Sequence, residues 1–248
     1  MKKIILLTCV LLTSMATTAR VDGDSVKTKE RGKIVVCKSK QENSKKGEID
    51  LQFRMNLGMN TMTGAPNDYS FKIWPSWDFG MAVTADWYPF GARNSWSLGL
   101  GVNWRKYRSG SDSFWVKGGN GEMALLPYTS LINDINAPNN CKTTLHVFSL
   151  QVPVLYTHYF DNEQDWYVTL GAIVNFNTGA HTAQYYEVGN QDYEINTNKI
   201  GQRPVTIDLM LQLGIPSFPD LYVKYSPTTF FKDGRGPKMH QMSFGFYF

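Results

Sequence analysis

The sequence is poor in cysteine and, after its first dozen residues, contains no long apolar run. Only 3 of the 248 residues are cysteines. No stretch after Leu12 approaches the ~18 consecutive apolar residues that a membrane-spanning helix needs. The P-loop and dinucleotide-binding fingerprints are missing as well, and Gly99-x-Gly101 lies in an alternating segment where glycine more often relieves crowding. These absences argue against a later helical span and give no indication of nucleotide binding.

The first 48 residues differ in character from the rest of the chain. Met1-Lys2-Lys3, the apolar run Ile4–Leu12 and the small residues up to Ala19 have the pattern of a secretory signal peptide, cleaved after Ala19. Residues 20–48 are polar and carry more basic than acidic side chains. We predict that residues 1–19 are a signal peptide and that residues 20–48 are a basic periplasmic tether, with a specific docking peptide as the alternative.

The basic excess of the chain is confined to these first residues. The whole sequence has 25 Lys and Arg against 21 Asp and Glu, but residues 49–248 are nearly neutral. The aromatic residues of that part are accounted for by the strand pattern described next, so no platform for stacking bases is left. We therefore expect no nucleic-acid partner.

Apolar and polar residues alternate over long stretches from residue 49 onward. In Ile49–Asn60 every odd position is apolar and every even position is polar or glycine. A period of two indicates a strand with one apolar and one polar face. The pattern predicts eight strands, over residues 49–60, 77–87, 96–105, 145–158, 166–177, 205–215, 221–229 and 240–248. The last strand runs to Phe248, and a terminus tied down in this way favours a closed sheet.

Tryptophan marks both ends of the apolar face. From Trp77 to Trp87, ~3.3 Å per residue and a strand tilt of about 40° give roughly 25 Å, the height of the apolar band of an outer-membrane barrel. A soluble β protein would instead use mixed side-chain sizes to fill a core. We predict that the apolar face contacts lipid, with an interfacial girdle of Trp77, Trp87, Trp96, Trp104 and Trp166. The lumen then contains the charged residues Asp50, Arg54, Asp78, Asp86, Arg105, Asp208 and Lys224.

Short and long connections alternate along the predicted strands. The short ones are 89–94, 160–165 and 216–219, and the long ones are 60–75, 106–144, 178–204 and 230–239. Outer-membrane barrels have short periplasmic turns and long extracellular loops, so both termini are expected in the periplasm. Cys37 and Cys141 would then lie on opposite sides of a ~30 Å hydrocarbon core, and we expect no disulfide between them.

Several segments carry a resemblance to a known protein family. The sequence Leu150-Gln151-Val152-Pro153-Val154-Leu155-Tyr156-Thr157-His158-Tyr159-Phe160 is similar to that family's strand LEIPLLLKYRF, and further matches are Trp166–Ala172, Asp208–Gly214 and Ser243–Phe248. In these segments the chain resembles the small outer-membrane β-barrel domain family of Bacteroidetes, the OmpX/PorT-like barrels. The resemblance covers roughly residues 49–248 and implies a fold and a compartment, but the family has no shared catalytic motif. Gln151 stands where the family usually has an acidic residue, so charge pairing at this position is not carried over.

The second predicted hairpin places two opposite charges across from each other. Folding it about residues 89–94 makes opposing residue numbers sum to 183, which pairs Asp78 with Arg105. We predict an ion pair between them in the lumen near the outer mouth, because buried charges must be paired. The interior of an eight-stranded barrel is just filled by side chains, so we expect no open pore. A narrow ion channel is the less favoured alternative.

Four histidines keep an enzymatic alternative open. His146, His181 and His240 are expected near the outer mouth, where small barrels that hydrolyse or transfer acyl chains place a catalytic histidine. No nucleophile-elbow sequence and no distinctive His–Ser spacing accompanies them, and His158 fits the interfacial girdle. We expect no catalytic residue, no metal ligand and no cofactor, with an outer-membrane lipid-modifying enzyme as the alternative.

The segments 106–144 and 178–204 are expected on the cell surface, where long loops usually carry recognition. The sequence thus predicts an all-β chain forming an eight-stranded, closed, antiparallel transmembrane β-barrel in a bacterial outer membrane. Its surroundings are outer-membrane lipid and lipopolysaccharide, and these two loops are where a protein partner would bind. The expected role is non-enzymatic, whether structural, adhesive or in an envelope assembly such as a secretion system.

Overall fold

The computed structural model describes residues 46–64, 71–109, 113–127, 139–161, 165–188 and 191–248. In these ranges it forms eleven strands: β1 Ile49–Thr63, β2 Phe71–Trp87, β3 Asn94–Ser109, β4 Ser113–Lys117, β5 Met123–Pro127, β6 Asn139–Tyr159, β7 Tyr167–Val188, β8 Gln191–Asn198, β9 Val205–Ile215, β10 Phe218–Thr229 and β11 His240–Tyr247. The predicted signal peptide 1–19, residues 20–45 of the predicted tether and Cys37 lie outside the described residues. Within the described ranges, no helix is long and apolar enough to cross a membrane.

Eight of the strands are hydrogen-bonded into a ring. The order around it is β1, β2, β3, β6, β7, β9, β10 and β11, and β11 pairs with β1 again. Every pair of neighbours in the ring is antiparallel. Strands β4 and β5 form a separate hairpin, and β8 is added to β7 outside the ring. The predicted all-β class and the predicted antiparallel sheet of eight consecutive neighbours are confirmed.

The connections divide between the two ends of the ring. Short connections over residues 88–93, 160–166 and 216–217 lie at one end, which we call the turn end. Both ends of the described chain are there, since Ile49 pairs with Trp87 and the amide of Phe248 donates to the carbonyl of Met55 over 2.7 Å. The opposite end, which we call the loop end, carries the longer connections and the strands β4, β5 and β8.

The ring strands extend further toward the loop end than the alternation predicts. β6 has 21 residues and β7 has 22, so much of the predicted loops 106–144 and 178–204 is strand. In β2 and β7, register shifts explain the difference: the β2–β3 pairing shifts between Lys72 and Trp77, and the β6–β7 pairing shifts between Phe148 and Ser149. An odd number of extra residues at such a bulge exchanges inward and outward positions, so the period-two pattern ends there although the strand continues. β3 and β6 continue in one register without a bulge.

Side chains alternate between the inside and the outside of the ring. Along β9 every second residue is buried, with Asp208 and Gln212 inside and leucines outside. On the outside, Leu51 and Leu100 expose 77% and 72% of their surface. The inside is mainly polar or charged. This distribution is the reverse of a soluble globular protein, whose large apolar side chains are mostly inside.

An apolar cluster, which we call the cap, fills the loop end of the ring. It joins the hairpin β4–β5 to residues 199–204, residues 230–239 and the ends of the ring strands. The amide of Met123 donates to the carbonyl of Arg235 over 2.9 Å, and the rings of Trp115 and Phe231 are 5.7 Å apart. The buried members of the cap are Met62, Tyr107, Trp115, Met123, Leu125, Leu145, Val147, Ala180, Ile200, Phe230, Phe231 and Met239.

Candidate functional site

Four charged side chains meet inside the ring beneath the cap. Asp78 and Arg105 are cross-strand partners, and Nε of Arg105 is 3.4 Å from a carboxylate oxygen of Asp78. Arg105 also pairs through Nη2 with Asp208 and donates through Nη1 to the side-chain oxygen of Gln241 over 2.6 Å. Nζ of Lys224 is 3.4 Å from the other oxygen of Asp78. Two cations and two anions, none more than 2% exposed, therefore balance each other.

Neutral donors complete the surroundings of Asp78. The hydroxyl of Tyr222 donates to this carboxylate over 2.9 Å, and the side-chain amide of Asn56 donates over 3.1 Å. Because β2 and β3 continue to Phe71 and Ser109, the cluster lies beneath the cap and not at the mouth of the ring. A buried ion pair is tolerated only when its remaining hydrogen-bonding capacity is satisfied, and these donors supply that.

Glycine makes room for this cluster. A Cβ atom on Gly58 would lie 2.4 Å from the hydroxyl of Tyr222 and 2.3 Å from the backbone oxygen of Phe244. A Cβ atom on Gly80 would lie 2.4 Å from the side-chain oxygen of Asn56. Both glycines occupy inward positions of their strands, and the absence of a side chain there allows the polar groups to meet.

A second ion pair lies inside the ring nearer the turn end. Nη2 of Arg54 is 2.7 Å from a carboxylate oxygen of Asp86 and donates to the hydroxyl of Ser97 over 3.2 Å. Asp50 is the cross-strand partner of Asp86 and is half-buried at the start of β1. The structure thus brings six of the predicted lumen charges into ion pairs in the interior and leaves Asp50 near its edge.

A cavity of about 250 Å³ lies at the turn end, next to Arg54. Its lining includes the tyrosines Tyr88, Tyr159, Tyr167 and Tyr247, together with Gln212 and Asp220. These groups bond to one another: the hydroxyl of Tyr167 donates to Asp220, and the side-chain amide of Gln212 donates to the same carboxylate over 2.8 Å. The hydroxyl of Tyr167, the amide of Gln212 and the carboxylate of Asp220 are therefore engaged within the wall of the cavity.

Two rows of aromatic side chains lie on the outside of β2, β3 and β6. In the loop-side row, the ring of Trp104 is 5.9 Å from that of Phe79 and 5.1 Å from that of Phe148. The turn-side row consists of Trp87, Trp96 and Tyr156: the two tryptophans are cross-strand partners, and the rings of Trp96 and Tyr156 are 5.1 Å apart. Between the rows the outward residues are Met81, Val83, Ala85, Leu98, Leu100, Val102, Leu150, Val152 and Val154.

The predicted girdle residues lie in or next to these rows. Trp87, Trp96 and Trp166 expose about half of their surface near the turn end. Trp104 is half-buried in the loop-side row, and Trp77 lies one step beyond that row, opposite Lys106. Phe79, Phe148 and Tyr156 were not among the predicted girdle residues, although their outward positions in the alternation could have indicated them.

The four histidines do not form one group. His146 and His181 are cross-strand partners on the outside of β6 and β7, with their rings stacked at 4.9 Å. Burial, followed by the neighbouring His181 and Lys106, lowers the pKa of His146 to about 4. His240 lies on β11 and His158 lies near the turn end of β6, both away from this pair. Across the described part of the chain, no group of three His, Cys, Asp or Glu side chains could hold a metal ion.

Strands β7 and β8 project beyond the ring at the loop end. β8 pairs with β7 from Gln191 to Asn198 and is exposed along almost its whole length. Tyr193 and Ile195 expose 42% and 41% of their surface there. Cys141 lies on β6 beside the part of β7 that pairs with β8, and it is half-buried. The predicted recognition loops are therefore largely ordered β-structure where they are described.

The comparisons with known proteins supply no relative for this arrangement. Neither a scan of protein-family models nor searches of curated proteins and of solved structures found a match to the chain. The features that bear on its role are the ion pairs inside the ring and the apolar and aromatic side chains on the outer surface.

Proposed function

We propose that residues 49–248 form a closed transmembrane β-barrel in a bacterial outer membrane and that the role of the protein is non-enzymatic. The observation that carries this proposal is the outer surface of the ring, where two aromatic rows border a continuous apolar band. Aromatic side chains collect at both membrane–water interfaces of barrels, with apolar residues between them. The expected resemblance to the OmpX/PorT-like barrels agrees with this proposal.

The spacing of the rows supports a lipid layer between them. Phe79 and Trp87 are eight residues apart, as are Trp96 and Trp104. At ~3.3 Å per residue and a tilt of about 40°, this spacing corresponds to roughly 20 Å, and Trp77 extends it to roughly 25 Å. The membrane-spanning segments are then those between the rows, and His146, His181 and the β7–β8 projection lie beyond them.

The apolar outer face and the charged inner face of the ring also favour a membrane location. Leucines that expose more than two thirds of their surface, such as Leu51 and Leu100, contribute to an apolar band that circles the ring. Soluble monomers rarely expose a contiguous apolar patch larger than a few hundred Å². Charges enclosed by such a band have little water to solvate them, and those of Asp78, Arg105 and Lys224 are paired accordingly. Lipid would cover the apolar outer face, and ion pairing balances the charges on the inner face.

In the proposed orientation the turn end faces the periplasm and the loop end faces outward. Short turns and both chain ends are periplasmic in barrels of this kind, and long connections are extracellular. The described chain begins next to the first turn, with the amide of Gly47 donating to the carbonyl of Tyr88 over 2.8 Å. A tether preceding residue 49 would therefore lie on the periplasmic side.

The loop-end projection supports a structural, adhesive or envelope-assembly role, such as that of a secretion-system component. β8 is an exposed strand whose second edge has no ladder partner among the described strands. An exposed edge can accept a further strand from a partner protein. Tyr193 and Ile195 would then supply apolar contact area next to the added strand. A partner at the predicted segment 178–204 would bind in this way.

Refolding into lipid vesicles tests the membrane proposal. We expect the protein to require detergent for solubility, to insert into vesicles and to migrate differently in SDS gels before and after boiling. Protease added outside inserted vesicles should cleave the projections and spare the strands between the rows. A protein that stays soluble without detergent and migrates identically with and without boiling would contradict the proposal.

The alternative of an outer-membrane lipid-modifying enzyme has one contact in its favour. Nε2 of His146 is 3.2 Å from the hydroxyl of Thr144, close to the proposed membrane surface. That hydroxyl donates to the backbone oxygen of Ala183 over 3.2 Å, which engages its proton elsewhere. Phospholipid or lipid A turnover by the purified protein, lost in His146→Ala and in His240→Ala, would support the enzyme. We expect no turnover by the wild-type protein.

A further inference from the structure

We propose that the outside of β2, β3, β6 and β7, just beyond the loop-side row, binds the phosphate groups of an anionic outer-leaflet lipid. The site, which we call the basic patch, consists of Lys72, Lys106, Arg108, His146 and His181. The inference rests on the proposed membrane orientation, and it adds a binding site and a ligand class to it.

The strand register places the members of the basic patch side by side. Lys72 of β2 is the cross-strand partner of Arg108 of β3. Lys106 of β3 is the partner of His146 of β6, and His146 is the partner of His181 of β7. Directly opposed residues on neighbouring antiparallel strands have Cβ atoms ~4.5–5.5 Å apart. The five side chains therefore form one continuous surface across four strands.

The basic patch concentrates the three positive charges of Lys72, Lys106 and Arg108 without a described anion to balance them. The ion pairs among the described residues involve Arg54, Arg105, Arg203 and Lys224, and none of them includes a residue of the patch. Like charges placed directly opposite each other on a sheet, as in Lys72 and Arg108, destabilise it. A bound anion would remove that repulsion. The first described carboxylates further along β7 and β8 are Glu187 and Glu194, beyond the patch.

The basic patch lies where the polar headgroups would be. Lys106 follows Trp104 of the loop-side row by two residues on the same face, and it is the cross-strand partner of Trp77. The nearby Trp74 exposes 76% of its surface. Lys and Arg at such a level bury their aliphatic stems against apolar surface and extend the charged group into the headgroup layer. The cations of the patch would therefore meet lipid phosphates.

On the outward faces of the ring strands, the positive charge lies on one side of the ring. On the far side at the loop end, the outward residues of β1 and β11 are Thr61, Thr63 and His240. Arg203, before β9, is paired with Asp233 at 2.7 Å. Lys232, Arg235 and Lys238 lie in the connection between β10 and β11 and not on a strand face. The cations on the strand faces therefore form a one-sided cluster, which indicates a defined contact.

The composition of the basic patch suits a phosphorylated lipid better than a free ion. Arg108 can donate two parallel hydrogen bonds to one phosphate, and Lys72 and Lys106 add point charges beside it. Below the patch, past the loop-side row, Val102, Leu150 and Leu100 provide an apolar surface for acyl chains. A lipid bearing phosphate groups can use both surfaces at once, and inorganic phosphate can use only one.

Lipid binding by the purified full chain tests the inference. Native mass spectrometry in detergent would measure the retention of diphosphorylated lipid A and of dephosphorylated lipid A. The test variant is Lys72→Ala/Lys106→Ala/Arg108→Ala, and the control with the same charge change is Lys117→Ala/Lys232→Ala/Lys238→Ala, on the cap side of the loop end. We expect about a fivefold loss per removed patch charge, roughly a hundredfold for the triple variant, and no loss in the control.

The possible outcomes distinguish the basic patch, the lipid ligand and membrane insertion from one another. Equal affinity of the triple variant and the wild type, or equal affinity of the wild type for both lipids, would overturn the basic patch. Competition by inorganic phosphate at the same concentration would overturn the assignment to a lipid. Heat-modifiable migration of the triple variant in SDS gels shows that its loss of binding is not misfolding. A wild-type protein that does not insert into vesicles would overturn the proposed function and this inference together. A protein that inserts but binds phosphorylated and dephosphorylated lipid A equally would overturn the inference alone.

Discussion

The hydroxyl of Tyr222 on β10 donates a hydrogen bond of 2.9 Å to Asp78 on β2, across the interior of the ring. β11 and β1 lie between these two strands in the ring order, so the bond connects strands that are not neighbours. Together with Lys224, which reaches the same carboxylate, it fills the ring at this level with direct side-chain contacts. The interior is thus held together by cross-ring bonds as well as by the strand ladders.

Substitution of Gly58 should disturb this relationship. The new Cβ of Gly58→Ala would meet the hydroxyl of Tyr222 at 2.4 Å and the backbone oxygen of Phe244 at 2.3 Å. Overpacking of this kind costs about 2 kcal/mol of stability, and here it also displaces a donor of Asp78. Urea unfolding in vesicles would measure the loss. Gly119→Ala, with nothing within 4 Å of its added Cβ, is the matched control and should leave stability unchanged.

Removal of Arg105 should destabilise the protein far more than removal of an exposed arginine. Arg105→Met leaves Asp208 without its ion-pair partner and Asp78 with Lys224 alone, a loss of about 3–5 kcal/mol for a buried pair. Arg203→Met breaks a pair whose partner Asp233 is 87% exposed, and should cost less than about 1 kcal/mol. Similar unfolding midpoints for the two variants would show that the interior charges are not buried.

The period-two pattern was sufficient to predict which residues face each other in the regular parts of the ring. The position of Asp78 opposite Arg105 follows from hairpin geometry alone, because no bulge interrupts Trp77–Trp87 or Trp96–Lys106. The extensions of β2 and β7 could not be predicted in this way. Their bulges invert the alternation, and a local pattern does not contain the register of a neighbouring strand.

The cap was also beyond the sequence reasoning. Trp115 and Phe231 are more than a hundred residues apart and lie in segments that resemble surface loops by composition. Long-range contacts of the hairpin β4–β5, among them the hydrogen bonds from Met123 to Arg235 and from Gln184 to Trp115, bring them together. The segment 106–144 was predicted to be a recognition loop, but its Trp115 packs against Phe231 inside the cap.

The cap should not be the only barrier to ions. Trp115→Ala/Phe231→Ala removes a central contact of the cap, but the charge cluster around Arg105 remains beneath it. In planar bilayers we expect no stepwise conductance from the wild type or from this double variant. Conductance steps in the variant alone would mean that the cap is the barrier, and steps in the wild type would support the channel alternative.

His146 should stay neutral far below the pH at which free histidine titrates. Burial, followed by the neighbouring His181 and Lys106, lowers its pKa to about 4, from an ordinary value of 6.5. Its contribution to stability is therefore present above pH 6.5 and is lost as the pH falls toward 4. Nitrogen NMR of the micelle-bound protein would follow the titration, with His146→Gln as the assignment control. Lys106→Ala should raise the midpoint, and a wild-type midpoint near 6.5 would contradict this account.

The most direct test of the central claim is a depth profile of the outer surface in vesicles. Spin labels placed singly at Trp96, Leu98, Leu100, Val102 and Trp104 would report collisions with oxygen, which concentrates in lipid, and with a water-soluble nickel complex. We predict oxygen accessibility that is highest at Leu100 and falls toward both tryptophans, with the opposite trend for nickel. Labels at inward positions would crowd the interior, so the water-exposed control is Asp233, whose side chain is 87% exposed. Uniform access of the nickel complex along these outward positions would contradict the assignment of this surface to lipid.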